Sequence, residues 1–281
     1  MEDFPEIINF KITHRCNNHC PYCYDSKKSV PEIELAEMKK IFLYLKSKGA
    51  KAIELTGGEP MLRKDIEQVI NLIKKCKLKV FLDTGGDHFK GNERIFKKID
   101  VLGLPLDFPN KSYRNLNNFS NVIQVLEFYK NKKVKPSIRV GTVVTKDNVH
   151  LLKEVGKILS KYSFDLWKIY EFIPINEVAF DNKNSLQVPY EEYLKYAKEA
   201  QDQFKKKLNI IVSTEDSRNK AYFFLDSSGE VFVPVHERGR DANVFLGNVF
   251  DKQTLKNWEK MAYKERYLKN VKITFDKPST K

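Results

Sequence analysis

Apolar positions along the chain follow two alternating rhythms. Runs rich in apolar or β-branched residues occupy residues 7–13, 52–56, 79–84, 101–107, 137–145 and 166–172, each of strand length. Between them the spacing changes to three and four: Leu35, Met38, Phe42 and Leu45; Ile66, Val69, Ile70 and Ile73; Val122, Val125, Leu126 and Tyr129; Leu151, Leu152, Val155, Ile158 and Leu159. Each set shares one face of a helix. Residues 94–98 leave room only for a short helix.

Six strands, each but the last followed by a helix, predict a parallel sheet with right-handed crossovers. Six units are too few to close an eight-fold barrel. The predicted fold is therefore α/β: a partial (β/α)6 TIM barrel over residues 1–175, open along one side. Beyond it, residues 176–281 change character and read as a small α+β extension that closes the substrate side. The polar stretch 181–185 reads as a long connection, residues 190–207 as a helix, and 221–226 with 230–235 as a hairpin turning on Ser227-Ser228-Gly229. Leu255, Trp258 and Met261 mark a final helix, and the tail 276–281 reads as loose.

Composition narrows the class. A chain of 281 residues, 41% hydrophobic and 31% charged, can bury one substantial core. No run of eighteen apolar residues occurs, and residues 1–6 lack the basic and apolar regions of a signal peptide, so the expectation is a cytoplasmic protein with no membrane partner. The net charge of +13 comes with lysine pairs spread from Lys27-Lys28 to Lys205-Lys206-Lys207. That spread reads as solvated helix faces, with an acidic ligand such as a nucleotide or RNA left open.

Four cysteines are present, and three crowd into Cys16-x3-Cys20-x2-Cys23 directly after the first strand. Such crowding is no disulfide framework; it reads as metal binding, while the remote Cys76 reads as a small buried hydrophobe. Three thiolates without a fourth would leave one iron of a 4Fe-4S cluster open to a small molecule. The competing reading is a zinc site completed by His14 or His19, in a basic nucleic-acid-binding protein. Zinc, however, gives no reason for Gly57-Gly58-Glu59-Pro60 after the second strand.

With that second motif the chain resembles the radical S-adenosylmethionine superfamily. The resemblance implies that Cys16, Cys20 and Cys23 hold a 4Fe-4S cluster, that S-adenosylmethionine chelates the open iron, and that its reductive cleavage yields a 5'-deoxyadenosyl radical that abstracts hydrogen from a substrate. It further implies cofactor contacts from Gly57, Gly58 and Glu59 at the methionine amino group and from Tyr22 at the adenine. Thr84 with Asp83, Asp107 and Arg139 are candidates for the ribose hydroxyls or the methionine carboxylate. Ferredoxin or flavodoxin would supply the electron.

Within the superfamily, the segment 166–172 and the cysteine-poor hairpin resemble viperin-like enzymes, which dehydrate nucleoside triphosphates. That likeness makes Lys168, Arg218 and Lys220 candidate phosphate ligands, whereas residues 113–117 depart from the viperin pattern. No cysteine follows Cys76, which removes the thiolates a second cluster would need and weakens a peptide-modifying reading. Modification of tRNA, in keeping with the charge, or of a peptide is the remaining alternative.

Overall fold

The computed structural model describes residues 5–25, 30–110, 118–237 and 240–275. Residues 113–117 and the tail 276–281, both noted in the sequence, lie outside them.

The six predicted strands form where the apolar runs fall: β1 (Ile7–Thr13), β2 (Ala52–Gly57), β3 (Lys79–Asp83), β4 (Val101–Pro105), β5 (Ser137–Val144) and β6 (Leu166–Glu171). They pair in chain order and all run parallel. Helices Leu35–Ser47, Ile66–Lys75, Glu93–Phe96, Asn118–Tyr129 and Leu152–Leu159 make the crossovers. Met38, Phe42 and Leu45, like Val69, Ile70 and Ile73, are buried as their spacing requires. The lysine pairs at 39–40, 74–75 and 132–133 face solvent.

Beyond residue 175 the sheet continues at both edges. Strand β7 (Ile210–Ser213) runs parallel to β6, and β8 (Phe224–Leu225) runs parallel to β1. The predicted hairpin follows, with β9 (Glu230–Glu237) antiparallel to β8 and Gly229 at φ +86° in the turn. A further strand, β10 (Arg240–Asn248), completes, among the described residues, ten strands in one sheet of order β10-β9-β8-β1-β2-β3-β4-β5-β6-β7.

Five features correct the sequence reading. β7 is a parallel strand of only four residues, too short to stand out as an apolar run. β10 carries Arg240, Asp241, Asn243 and Asn248, so a polar antiparallel edge hides it from any apolar-run test. The connection at 181–185 is largely helical, in Glu177–Asp181 and Lys183–Leu186, and a second terminal helix, Lys264–Phe275, follows Lys252–Met261. The long helix ends at Phe204, three residues earlier than predicted.

Strand alternation separates the helix-covered face from the interior. Along β5, Ile138, Val140, Thr142 and Val144 are buried, while Arg139, Gly141 and Val143 are only half-buried; along β6, Trp167 and Ile169 are buried, while Lys168 and Tyr170 are not. Arg139 reaches within 4.0 Å of Glu54 on β2 although two strands lie between them in the sheet. The sheet therefore curls around an interior that Arg139, Glu54 and Lys168 face. Among the described residues no helix is long and apolar enough to cross a membrane.

Candidate functional site

The cysteine loop leaves the carboxyl end of β1, the end at which parallel α/β sheets place ligands. Its own backbone turns inward: Cys23 N donates to Cys20 O at 3.1 Å, Asn18 N to Cys16 Sγ at 3.4 Å and Asp25 N to Cys23 Sγ at 3.4 Å. Side chains pin the loop from two further directions. Asp87, beyond β3, accepts from Asn17 at 2.9 Å, Asn18 at 3.4 Å and Asn121 at 2.5 Å. Asn176, beyond β6, donates its amide to Cys23 O at 2.7 Å. Neither partner was foreseen from the sequence, since each lies far along the chain with no local motif to mark it.

All three thiols are half-buried. Burial first, then Asp107 and the other two cysteines, push the Cys20 thiol up to about 12. Such a thiol is a poor anion alone, and an electropositive centre held among the three would supply the missing stabilisation. Among the described residues no three His, Cys, Asp or Glu side chains converge at the spacing of a single ion. A cubane cluster takes one thiolate on each of three irons, so a donor set of three thiols, with backbone N–H···S support at Cys16 and Cys23, fits it. His14 is engaged elsewhere: its Nδ1 is 2.9 Å from Asp25, and its Nε2 lies 4.0 Å from Asp226. Burial alone would raise the Asp25 carboxyl, but His14 and Lys11 outweigh it and hold it below its ordinary value.

The glycine pair docks against this loop. Gly58 N donates to Thr13 O and Glu59 N to Arg15 O, both at 2.8 Å. Gly57 has φ +137°, and a Cβ there would stand 2.2 Å from Thr13 O; a Cβ on Gly58 would stand 2.2 Å from Arg15 O. The first requirement for glycine is thus the close approach of β2 to the cysteine loop. Glu59, 2% exposed, accepts from Met61 N at 3.0 Å, Thr84 Oγ1 at 2.8 Å and Gly85 N at 2.8 Å. It braces the ends of β2 and β3, and burial raises its carboxyl despite those donors.

Two candidate ribose ligands are likewise committed to the protein. Thr84 Oγ1 donates to Glu59 and accepts from Gly86 N at 3.2 Å. Asp107 accepts from Tyr22 OH at 2.7 Å and from Val143 N at 2.7 Å. Tyr22 also packs beside Phe172, Ala179 and Leu186.

The interior holds the remaining candidates. Arg139 faces Glu54 and stacks over Phe81 at 5.6 Å. Lys168 Nζ and the Arg218 guanidinium share the ring of Tyr170, at 4.9 and 5.5 Å. Arg218 is held by the carbonyls of Glu171 and Thr214. Lys220 is set apart, over Tyr263 at 5.3 Å, so the three expected cations form a pair and an outlier. Burial first, then Asp83, raises the Glu54 carboxyl to about 7 against the pull of Arg139 and Lys168. Burial raises Asp83 too.

Comparison with known proteins agrees with this geometry. A protein described as an S-adenosylmethionine-dependent nucleotide dehydratase, from Selenomonas ruminantium, is 24% identical over 92% of this chain and 98% of its own. SuiB of Streptococcus suis, solved with S-adenosylmethionine, shares the fold at a TM-score of 0.68 and 16% identity, over 94% of this chain and 67% of that one. Native anSMEcpe, solved with AdoMet and a peptide, aligns at a TM-score of 0.66 and 19% identity, over 96% of this chain and 83% of that one. The Radical SAM superfamily model matches residues 10–159, which take in the cysteine triplet, the glycine pair and strands β2 to β5. With more than half of its length so matched, the chain belongs to the radical SAM superfamily, enzymes that use a 4Fe-4S cluster and S-adenosylmethionine.

Proposed function

We propose that this enzyme removes water from a nucleotide, with a nucleoside triphosphate as substrate. The observation that carries the reading is the end-to-end similarity to the Selenomonas ruminantium nucleotide dehydratase, 92% of one chain against 98% of the other. The interior supports it with two cations, Lys168 and Arg218, on one aromatic ring near the carboxyl ends of the strands. Such a pair suits phosphate through charge-assisted hydrogen bonds.

Each group then has a defined task. Cys16, Cys20 and Cys23 hold the cluster, with Asp87 and Asn176 fixing their loop. The backbone at Gly57 and Gly58, together with Tyr22, Asp107 and Arg139, borders the space for S-adenosylmethionine, while Glu59 and Thr84 keep that border rigid. When bound and reduced by one electron from a ferredoxin or flavodoxin, S-adenosylmethionine supplies a hydrogen-abstracting 5'-deoxyadenosyl group. The protein's part is aim and exclusion of water: Lys168 and Arg218 hold phosphate, and the stacked rings of Phe224 and Phe232, 5.0 Å apart, wall the interior on the side of β8 and β9.

The test is anaerobic turnover with dithionite. 5'-Deoxyadenosine formation is expected to rise when a nucleoside triphosphate is added and to lose that stimulation in Lys168→Gln. Stimulation by tRNA and by no free nucleotide would replace this reading with RNA modification.

A further inference from the structure

A (β/α) barrel interior is ordinarily filled by branched aliphatic side chains. This one carries Glu54 on β2, Asp83 on β3, Arg139 on β5 and Lys168 on β6, and charges inside a fold are costly unless a ligand uses them. Their heights are fixed by register. Glu54 lies level with Phe81; two residues on, Asp83 lies level with Gly103 and Arg139; Lys168 lies level with Gly141, and Tyr170 with Val143 nearest the carboxyl rim. Glu54 therefore lies deepest, Asp83 and Arg139 share the next level, and Lys168 lies nearest the rim of the four.

Gly103 leaves this depth open. A Cβ there would stand 2.0 Å from Asp83 Oδ1, so the carboxylate lies across β4 in the space a side chain would fill. Asp83 is exposed although its strand has neighbours on both sides. Among the described residues no hydrogen bond reaches its carboxylate, and Glu54 has only Arg139 at 4.0 Å. Glu54, part-buried, and Asp83, open to solvent on the same interior face, thus both present acceptor positions that the chain itself leaves unfilled and that a donor from outside can take.

We propose that Glu54 and Asp83 form the subsite for the sugar of the nucleotide, accepting hydrogen bonds from its hydroxyl groups while the phosphates extend to Lys168 and Arg218. The inference rests on the nucleotide reading above. A phosphate at the acids would be repelled, whereas a diol offers two neutral donors, the pairing carboxylates make with ribose in other nucleotide sites. Two residues of strand separate the Asp83 level from the Lys168 level, about 7 Å, a span that suits sugar at one end and phosphate at the other.

The test uses cluster-loaded enzyme with S-adenosylmethionine present and measures equilibrium binding of a ribonucleoside triphosphate and its 2'-deoxy and 3'-deoxy counterparts. The readout is the preference for the ribonucleotide, because removing a negative charge beside Arg139 and Lys168 by itself favours a polyanion. Wild type is expected to prefer the ribonucleotide about tenfold over at least one deoxy form, as hydrogen bonds to charged groups dictate. Asp83→Asn, Glu54→Gln, or Gly103→Ala, which displaces the Asp83 carboxylate, should bring that preference within about twofold and leave affinity for S-adenosylmethionine unchanged. A preference that persists in all three variants, or a loss confined to S-adenosylmethionine, overturns the subsite and leaves the nucleotide reading standing. No nucleotide binding by wild type overturns both.

Discussion

The Tyr22 hydroxyl donates to the Asp107 carboxylate at 2.7 Å, tying the cysteine loop to the end of β4. The family resemblance implies an adenine contact for Tyr22, and Asp107 is a candidate for the ribose or the methionine carboxylate; in the fold each is first the other's partner. Tyr22→Phe should therefore lower stability by about 1–3 kcal/mol, the cost of leaving a buried charged acceptor short of a donor. Thermal unfolding of the apoprotein reads this directly, and an unchanged midpoint would mean the bond contributes nothing.

Gly57 and Gly58 are predicted to be intolerant of even one methyl group. Each Cβ would meet a backbone oxygen at 2.2 Å, and backbone cannot move aside as a side chain can. Gly58→Ala should cost upward of about 3 kcal/mol, among the larger single-residue effects, and cut iron uptake on reconstitution. Normal iron content with normal stability would show that the loop does not dock as described.

Asp87 gathers three amides, two of them from the cysteine loop itself. Asp87→Ala frees Asn17 and Asn18 and should let the loaded protein shed iron several-fold faster in the presence of a chelator, with secondary structure intact. Equal loss rates in variant and wild type would remove Asp87 from the loop's support.

Glu54 gives a pH dependence of defined sign. Its folded-state carboxyl is raised to about 7 from 4.5, by burial first and then by Asp83, so the folded protein binds its proton more tightly than the unfolded chain does. The penalty on the ionised form is absent below the unfolded value, grows through the window between the two, and is complete above about 7. The stability of Glu54→Gln relative to wild type should rise by roughly 1–3 kcal/mol between pH 5 and pH 8. A difference that stays flat across that range would contradict the shift.

The parts legible in sequence were those whose signal is local. Strands β1 to β6 were legible because each is a short run rich in apolar or β-branched residues between helix-spaced segments, as Ile7, Ile8, Phe10 and Ile12 are in Ile7–Thr13. The cysteine triplet and the glycine pair were legible because their spacing is itself the chemistry. What was missed depends on contacts across the chain. Asn176 meets Cys23 over a separation of 153 residues, and no local rule marks it. Lys220 looked equivalent to Arg218, two residues away, but φ +55° at Lys220 turns the backbone and sends its side chain to Tyr263. Asp83 stood beside Thr84 as an equal candidate; only the fold shows the threonine hydroxyl consumed by Glu59 and the aspartate left open over Gly103.

The proposed dehydration requires that the abstracted hydrogen come from the sugar of the nucleotide. The most direct measurement is anaerobic turnover with a nucleoside triphosphate deuterated throughout its ribose, followed by mass spectrometry of the 5'-deoxyadenosine formed. One deuterium is expected in 5'-deoxyadenosine, with the labelled product lost when Cys16, Cys20 or Cys23 is replaced by alanine. Unlabelled 5'-deoxyadenosine, formed at the same rate with or without the nucleotide, would contradict it.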